Sequence, residues 1–236
     1  MIKHLKNSTV ISLIFLTACA SNKHVAHPND PLEPFNRGVY KFNKTVDALY
    51  IKPTSKIYDK VVPENLKRLV SNFFNNVNEI PTIINSLLQA KYKQAADSTA
   101  RFTMNSTLGI GGLFDVAKTA KLKHKKEDFG KTLAVWGYKN SNYLVLPIVG
   151  PTTVRDGVGL CGNAFMTVPY YFKPKWRNRY EFAYIVNRRS ELQETESFVV
   201  TAGVDEYVLV RDAYLQNRDY TISDKSNTKM LSEPPE

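Results

Sequence analysis

The chain has 236 residues, of which 43% are hydrophobic and 23% are charged, and its formal net charge is +10 at pH 7. These fractions are those of a globular protein and exclude a chain that is disordered throughout. The excess of Lys and Arg indicates a surface suited to nucleic acid or to an anionic membrane.

The first 18 residues have the order of a bacterial lipoprotein signal peptide. Lys3 and Lys6 supply the positive start, residues 10–16 form a short apolar run, and small residues precede Cys19. An apolar run this short cannot span a bilayer, which takes about 20 residues. The pattern predicts cleavage before Cys19, a diacylglyceryl group on its thiol and an acylated new amino terminus. An ordinary signal peptide followed by a chance cysteine is the alternative.

Lipidation of Cys19 predicts the location of the protein and limits its partners. Ala20 and Ser21 differ from the aspartate that retains bacterial lipoproteins in the inner membrane, so we expect an outer-membrane protein, lipid-anchored on the periplasmic side. Export excludes nucleic acid and leaves anionic phospholipid head groups as the counterpart of the basic surface. Since Cys19 is modified, Cys161 has no disulfide partner, and we predict that it is a buried free thiol.

Composition divides the rest of the chain into three segments. Residues 19–34 contain Pro28, Pro31 and Pro34 among polar residues and predict a lipidated tether. Residues 221–236 are polar, end in Pro-Pro-Glu and predict a disordered tail. The 35–220 segment between them is long enough for a single domain with a core.

Helical spacing of apolar residues dominates this domain. The first stripe contains Phe35, Val39, Phe42, Val46 and Leu49. Further helices are predicted from residue 66 to 77, after Pro81, and over 91–108, 129–136, 179–198 and 205–219. Residues 143–155 are apolar but interrupted by proline and glycine, and no alternation is long enough to predict a sheet. The sequence therefore predicts a mostly α fold.

The mature chain offers no arrangement typical of a catalytic or metal site. Its histidines are His24 and His27 in the tether and His124 in a lysine-rich loop that we expect to be solvated. A catalytic base must be held rigidly beside its nucleophile, and none of these positions predicts that. No His/Cys spacing suits zinc. We predict no catalytic residue, no metal and no cofactor apart from the lipid on Cys19.

Two other motifs have simple structural explanations. Glu127 and Asp128 are adjacent, so they do not face each other on a helix, and we expect a solvated helix start. Residues 109–112 (Gly-Ile-Gly-Gly) lack the preceding strand, the third glycine and the lysine of a nucleotide-binding loop. They predict a turn with apolar flanks.

The sequence also suggests two surface features. The basic run is a solvated loop or a patch that touches lipid head groups or an acidic partner, and its candidate contact residues are Lys121, Lys123, Lys125 and Lys126. Trp136 and Trp176, with thirteen tyrosines, form either an interfacial aromatic belt or part of the core.

Several motifs, in order, resemble the MlaA/VacJ family of outer-membrane lipoproteins. They are DPLEPFNR at 30–37, Tyr40 with Phe42-Asn43, Arg101-Phe102, Asn105 to Gly112, FDVA at 114–117, Asp128-Phe129-Gly130 to Gly137, 143–147, GPTTVRD at 150–156, and 205–214. The resemblance covers about residues 30–220. One departure is the 138–142 segment, which lacks the glycines that the family commonly has there and puts the mobility of that loop in doubt.

The resemblance implies a single helical, ring-like, membrane-associated domain in the inner leaflet of the outer membrane. An amphipathic channel would remove phospholipids misplaced in the outer leaflet and pass them to a periplasmic lipid carrier, then to an inner-membrane ABC transporter. Trimeric porins are the implied companions. We place the lipid path at Phe42, Asn43, Leu108, Ile110, Phe114, Leu144, Leu146, Ile148 and Val149.

Three functions remain open at the level of sequence. Lipid translocation is the first, and for Phe42 the alternative is plain core packing. A structural envelope lipoprotein that braces porins without lipid transfer is the second, because amphipathic helices also serve partner contacts. A lipid hydrolase is the third, weakened by the missing histidine arrangement.

Overall fold

The structure, a computed structural model, describes residues 27–200 and 205–223, and within it the side chains up to residue 193 and from residue 205. The predicted signal peptide, Cys19, residues 19–26 of the tether and the tail beyond residue 223 lie outside the described residues. Ordered by sequence, the helices are α1 (Glu33–Val46), α2 (Lys52–Val61), α3 (Glu64–Val77), α4 (Glu79–Leu88), α5 (Tyr92–Thr107), α6 (Phe129–Val135), α7 (Val154–Ala164), α8 (Pro174–Val200) and α9 (Glu206–Ile222). A π-helical stretch (Asp47–Ile51) joins α1 to α2, and short 3₁₀ turns lie at Val116–Lys118 and Val168–Tyr171. The predicted mostly α fold is confirmed.

Local sequence explains where several helices begin. Pro34 occupies the first turn of α1, where its missing N–H is not needed. The side chains of Asp128, Thr153 and Asp205 cap α6, α7 and α9 by accepting hydrogen bonds from backbone amides in the first turn. Such caps satisfy amides that have no partner within the helix, and each contributes about 1 kcal/mol.

A small antiparallel hairpin corrects the prediction that the domain contains no sheet. Strands β1 (Tyr143–Leu146) and β2 (Gly150–Thr153) pair with Tyr143 opposite Thr153 and Leu146 opposite Gly150. The turn between them uses positive φ at Ile148 and Gly150. Four-residue strands are too short to show an alternating pattern, and this hairpin is held by tertiary contacts instead. The Asn36 side chain accepts from the Val145 amide at 2.9 Å and donates to the Tyr143 carbonyl at 3.2 Å.

A modest apolar cluster lies between the hairpin and α9. Tyr143, Val145 and Tyr207 are buried there, and Val39 and Tyr40 of α1 pack against them. Asp30 is also fully buried and accepts hydrogen bonds from the Asn36 amide at 2.8 Å and the Tyr207 hydroxyl at 2.6 Å. The last residues of the predicted tether are therefore packed into the domain.

Much of the interior is polar, and much of the surface is apolar. On α4, Glu79, Thr82 and Ser86 are fully buried, whereas Leu87 and Leu88 are 51% and 38% exposed. The apolar stripe that predicts this helix thus faces outward in part. Cys161 is exposed, so the prediction of a buried thiol is wrong. The helix that carries it presents its glycines, not its cysteine, to α6: a Cβ on Gly159 would lie 2.6 Å from the Gly130 nitrogen.

Candidate functional site

The exposed apolar surface is the first component of the candidate site. Its side chains come from several helices and turns, and those more than 60% exposed include the aliphatic residues Leu49, Ile57, Val61, Leu108, Ile110 and Ile148. Across residues 27–200 and 205–223, no helix combines the length and hydrophobicity needed to cross a bilayer. An apolar surface of this extent is typical of a site that contacts protein or membrane.

The structure brings together two of the three predicted lipid-path segments. Asn43 of α1 donates to the Leu146 carbonyl at 2.9 Å and accepts from the Ile148 amide at 2.8 Å, so it holds the hairpin turn against α1. Phe42 is 52% exposed, which excludes the alternative of plain core packing. Ile148 and Val149 are also exposed, while Leu144 and Leu146 are half-buried. The apolar edge formed by Phe42 and the hairpin therefore contains one polar side chain, Asn43, which fastens the turn to α1.

The third segment, the turn from Leu108 to Phe114, lies elsewhere, against α3. Asn72 donates to the Leu113 carbonyl at 3.0 Å. A Cβ on Gly109 would lie 2.2 Å from the Phe114 carbonyl, and Gly112 has φ +93°. These glycines are required by the tight turn, as predicted. Its apolar residues Leu108, Ile110 and Phe114 are all at least half exposed.

A buried ion network fills the space between α4 and α5. Arg101 donates to Glu79 Oε1 at 2.7 Å and to both oxygens of Asp115 at 3.1 Å. Burial alone would raise the pKa of Asp115, but hydrogen bonds from Asn105 and Arg101 outweigh it and lower the pKa. His124 Nδ1 lies 2.7 Å from Glu79 Oε1. His124 is exposed, as expected, but the contact of its ring with this network was not predicted.

A second network surrounds Glu127. This carboxylate is only 4% exposed and accepts hydrogen bonds from Gln89 at 3.1 Å, Gln94 at 3.0 Å and Lys91 at 3.3 Å. The predicted solvated helix start is thus half correct: Asp128 does cap α6, but Glu127 is turned inward. Burial lowers the pKa of the neighbouring Lys131.

A third network ties α6, α7 and α9 together through Arg218. Its guanidinium donates to both oxygens of Asp128, at 2.7 and 2.6 Å, and to Asp156 at 2.8 Å. Burial would raise the pKa of Asp128, but the hydrogen bonds and charge of Arg218 lower it from 3.8 to about 2. The Tyr214 hydroxyl also donates to Asp156, at 3.0 Å.

The loop at 138–142 is fastened to α7 by Arg155, which is 2% exposed. The Arg155 guanidinium donates to the carbonyls of Tyr138 at 3.3 Å and Lys139 at 2.8 Å, and its amide donates to Ser141 Oγ at 2.8 Å. This loop thus has three attachments to one buried residue, two to its guanidinium and one to its amide.

Other predicted contact residues lie at the surface. Lys121, Lys123 and Lys126 are exposed, and Lys125 is half-buried. Trp136 and Trp176 are 57% and 56% exposed, which excludes the alternative that they belong to the core. Within the part of the chain that the structure describes, no group of three or more His, Cys, Asp or Glu could hold a metal ion.

The sequence reasoning missed the buried polar residues. Their signal is a second stripe on α4, where Glu79, Thr82, Ser86 and Gln89 recur at intervals of three and four residues. This stripe lies opposite the apolar one and is the face that packs inward. A polar stripe on a helix is ordinarily expected to face solvent, so the sequence alone does not show that this one is buried.

Comparisons with known proteins agree on one relationship. The family model described as "MlaA lipoprotein" matches residues 28–221. The chain is 31% identical over 229 residues to the "Intermembrane phospholipid transport system lipoprotein MlaA" of Haemophilus influenzae, covering 92% of this chain and 90% of that protein. It is 30% identical over 220 residues to the protein of the same name from Escherichia coli, covering 91% and 87%.

A relative from another genus and a solved structure extend this relationship. An uncharacterized protein of Rickettsia bellii is 33% identical over 202 residues, covering 85% of this chain and 79% of that protein. A solved structure described as "Structural basis for maintenance of bacterial outer membrane lipid asymmetry" superposes with a TM-score of 0.72 at 29% identity, covering 82% of this chain and 98% of that one.

Proposed function

The chain belongs to the MlaA lipoprotein family, and on that premise we propose that it is an outer-membrane lipoprotein of an intermembrane phospholipid transport system. It removes phospholipids misplaced in the outer leaflet and so maintains the lipid asymmetry of the outer membrane. The relatives from Haemophilus influenzae and Escherichia coli are named as lipoproteins of an intermembrane phospholipid transport system. The observation on this chain that carries the proposal is its inverted burial, with charged residues inside and apolar residues outside.

Inverted burial suits a domain immersed in one leaflet. Apolar surface left in water costs about 25 cal/mol per Å², a cost that lipid tails remove. Polar groups cannot face lipid tails without a partner, so they turn inward, where many of them pair with one another. Residues such as Glu79 and Arg101 form pairs of that kind, while Leu108 and Ile110 face outward.

We propose that lipids pass along the edge formed by Phe42, Asn43 and the hairpin, with the turn at Leu108–Phe114 contributing a second apolar contact. Lipid tails would lie against Ile148, Val149 and Phe42, which are exposed beside the polar Asn43 side chain. Lys121, Lys123, Lys125 and Lys126 are proposed to contact head groups or an acidic partner, because they lie together in one loop.

The proposed partners are outer-membrane phospholipids, a trimeric porin and a periplasmic lipid carrier. We further propose that the chain moves lipid without a catalytic step, a cofactor or a metal, and that Cys19 carries the anchor. The bonding of His124 supports a structural role for the ring, since it contacts a carboxylate that also pairs with Arg101.

The test compares cells that lack the chain with cells that express it or its variants, and measures phospholipid at the cell surface with an impermeant amine-reactive label. Loss of the chain should raise surface phospholipid, and Asn43→Ala should alter it at normal protein abundance. Thr45→Ala, an exposed change on the same helix, is the matched control.

The same experiment separates the alternatives. Unchanged surface phospholipid together with loss of porin association would favour a bracing lipoprotein. Hydrolysis products from labelled phospholipid, formed by the purified full chain, would favour an enzyme. Mass spectrometry should find phospholipid that copurifies with the detergent-extracted protein and is reduced in Asn43→Ala.

A further inference from the structure

Aromatic and basic side chains are concentrated around the start of α8, in residues 165–179, which we call the basic–aromatic patch. Phe165, Tyr171 and Trp176 are 58%, 73% and 56% exposed. Lys173, Lys175 and Arg179 are exposed beside them, and Arg177 is half-buried. No residue of this segment belongs to the predicted lipid path or to the lysine-rich loop.

The exposed rings of the patch are ordered by one another. The ring centroids of Phe165 and Tyr170 are 4.8 Å apart, and those of Tyr170 and Tyr171 are 5.3 Å apart. The Tyr171 hydroxyl donates to the Phe165 carbonyl at 2.8 Å. These contacts hold large apolar rings at the surface, where burial in a core does not explain them.

Three cations of the patch, Lys173, Lys175 and Arg179, lack a carboxylate partner in the part of the chain that the structure describes. Elsewhere the arginines are paired: Arg101, Arg155, Arg189, Arg211 and Arg218 each contact a carboxylate. Among the residues whose side chains are described, no salt bridge joins Lys173, Lys175 or Arg179 to a carboxylate, whereas the half-buried Arg177 acts electrostatically on Glu181, four residues further along α8.

These cations also lie at the N-terminal end of α8, where the helix dipole disfavours positive charge. The first turn of α8 contains no acidic residue, although that end of a helix favours negative charge. The side chains instead cover an aromatic ring: the Lys175 ammonium and the Arg179 guanidinium lie 5.9 and 5.1 Å from the centroid of Trp176. Fold stability therefore does not account for Lys173, Lys175 and Arg179 at this position.

Ring contacts that pass through the buried Phe74 link the patch to Phe73 on α3. Phe172 contacts Tyr180 with ring centroids 6.5 Å apart, Tyr180 contacts Phe74 at 5.1 Å, and Phe74 contacts the partly exposed Phe73 at 5.7 Å. Tryptophan, tyrosine and long cations at the border of an apolar surface are the arrangement found where a membrane protein meets the head-group layer.

We propose that the basic–aromatic patch binds the anionic phospholipid head groups of the membrane in which the domain sits. Charge complementarity selects this occupant: the three cations that have no described carboxylate partner meet phosphate, and the rings between them lie at the boundary of the lipid tails. The inference rests on the proposed residence at a membrane, and lipid transport is not required for it.

The test measures partition of the full chain carrying Cys19→Ser, so that an acyl anchor cannot mask the patch. The probes are vesicles of phosphatidylcholine alone and vesicles in which about one-third is phosphatidylglycerol, separated by flotation at low and high salt. Each cation near an anionic surface contributes about fivefold in partition, so Lys173→Gln/Lys175→Gln should lower binding to the anionic vesicles about thirtyfold.

Two controls match this variant. Lys93→Gln/Lys118→Gln removes the same charge from exposed sites on other elements and should leave partition within about twofold, because charges beyond a Debye length are screened. Lys173→Arg/Lys175→Arg keeps the charge and should bind as wild type. High salt should bring wild type down to the level of the Gln variant.

Three results would overturn the proposal. The first is wild-type binding that does not depend on phosphatidylglycerol; if neutral vesicles still bind, membrane residence and the proposed function survive and the patch alone is wrong. The second is an equal loss of vesicle binding in the two double Gln variants, which would indicate that net charge and not this patch determines binding. The third is unchanged vesicle binding with weakened binding to purified porin trimers, which would make the surface a protein interface.

Discussion

The Arg218 network allows a stability prediction whose size follows from the structure. Asp128→Asn removes one charge from a carboxyl that is 25% exposed and bonded to Arg218. The folded-state pKa of Asp128 is about 2, against an ordinary 3.8. At about 1.4 kcal/mol for each pKa unit, the charged form contributes about 2 kcal/mol to folding at neutral pH. The substitution isolates this contribution, because asparagine can still cap α6 and Arg218 keeps Asp156.

The pH dependence has a definite sign. Because folding lowers the pKa of Asp128, its contribution is fully present above the unfolded pKa near 3.8 and is lost as the pH falls towards 2. Wild type and Asp128→Asn should therefore differ by about 2 kcal/mol at neutral pH and converge at about pH 2.

The assay is denaturant unfolding of the detergent-solubilised protein, followed by far-UV circular dichroism at several pH values. Asp205→Asn is the matched control, since Asp205 also caps a helix and pairs with an arginine but is 48% exposed. It should change the unfolding free energy much less. A difference between wild type and Asp128→Asn that is small at neutral pH, or that persists unchanged down to pH 2, would refute the reasoning.

The other predictions concern the anchor, the lipid path and the first ion network. Cys19→Ser should abolish palmitate labelling, and labelling that persists would remove the lipoprotein assignment. Truncating a core Phe costs about 3–5 kcal/mol of stability, and Phe42→Ala should cost far less because Phe42 is exposed. It should alter surface phospholipid at normal protein abundance, and some substitutions along the path should be dominant because the channel leaks. If every phenotype followed a loss of protein, this prediction would be contradicted. Arg101→Met leaves the Glu79 side chain, which is 1% exposed, without its guanidinium partner and should lower the free energy of unfolding by about 3–5 kcal/mol. Most of this loss should be recovered in Glu79→Gln/Arg101→Met. Equal losses in the single and double variants would argue against a buried ion pair. His124→Ala should lower the unfolding temperature through its lost contact with Glu79 while lipid asymmetry is kept, and a stable, correctly located variant with the null phenotype would overturn the non-enzyme proposal.

Most helices could be predicted because their signals are local. The stripe from Phe35 to Leu49, the caps at Asp128 and Asp205, and the glycines of the Leu108–Phe114 turn depend on neighbours in the chain. The lipoprotein signal and the family motifs are linear patterns as well. The hairpin at residues 143–153 escaped prediction, because Asn36 and Asn43, about a hundred residues away, hold it in place.

Most helices, the family resemblance and the predicted anchor at Cys19 could be read from the amino-acid sequence alone. The tertiary structure decided which face of each helix turns inward. On α4 the apolar and polar stripes are equally regular, and only contacts with Arg101, Thr132 and Glu127 show that the polar one is buried. The same holds for Glu127 and Cys161, whose burial differs from the predicted one, and for the contact of His124 with Glu79. Periodicity reports that a helix has two faces, but the free energy of each face depends on whether water, lipid or protein lies against it, which no short stretch of sequence encodes.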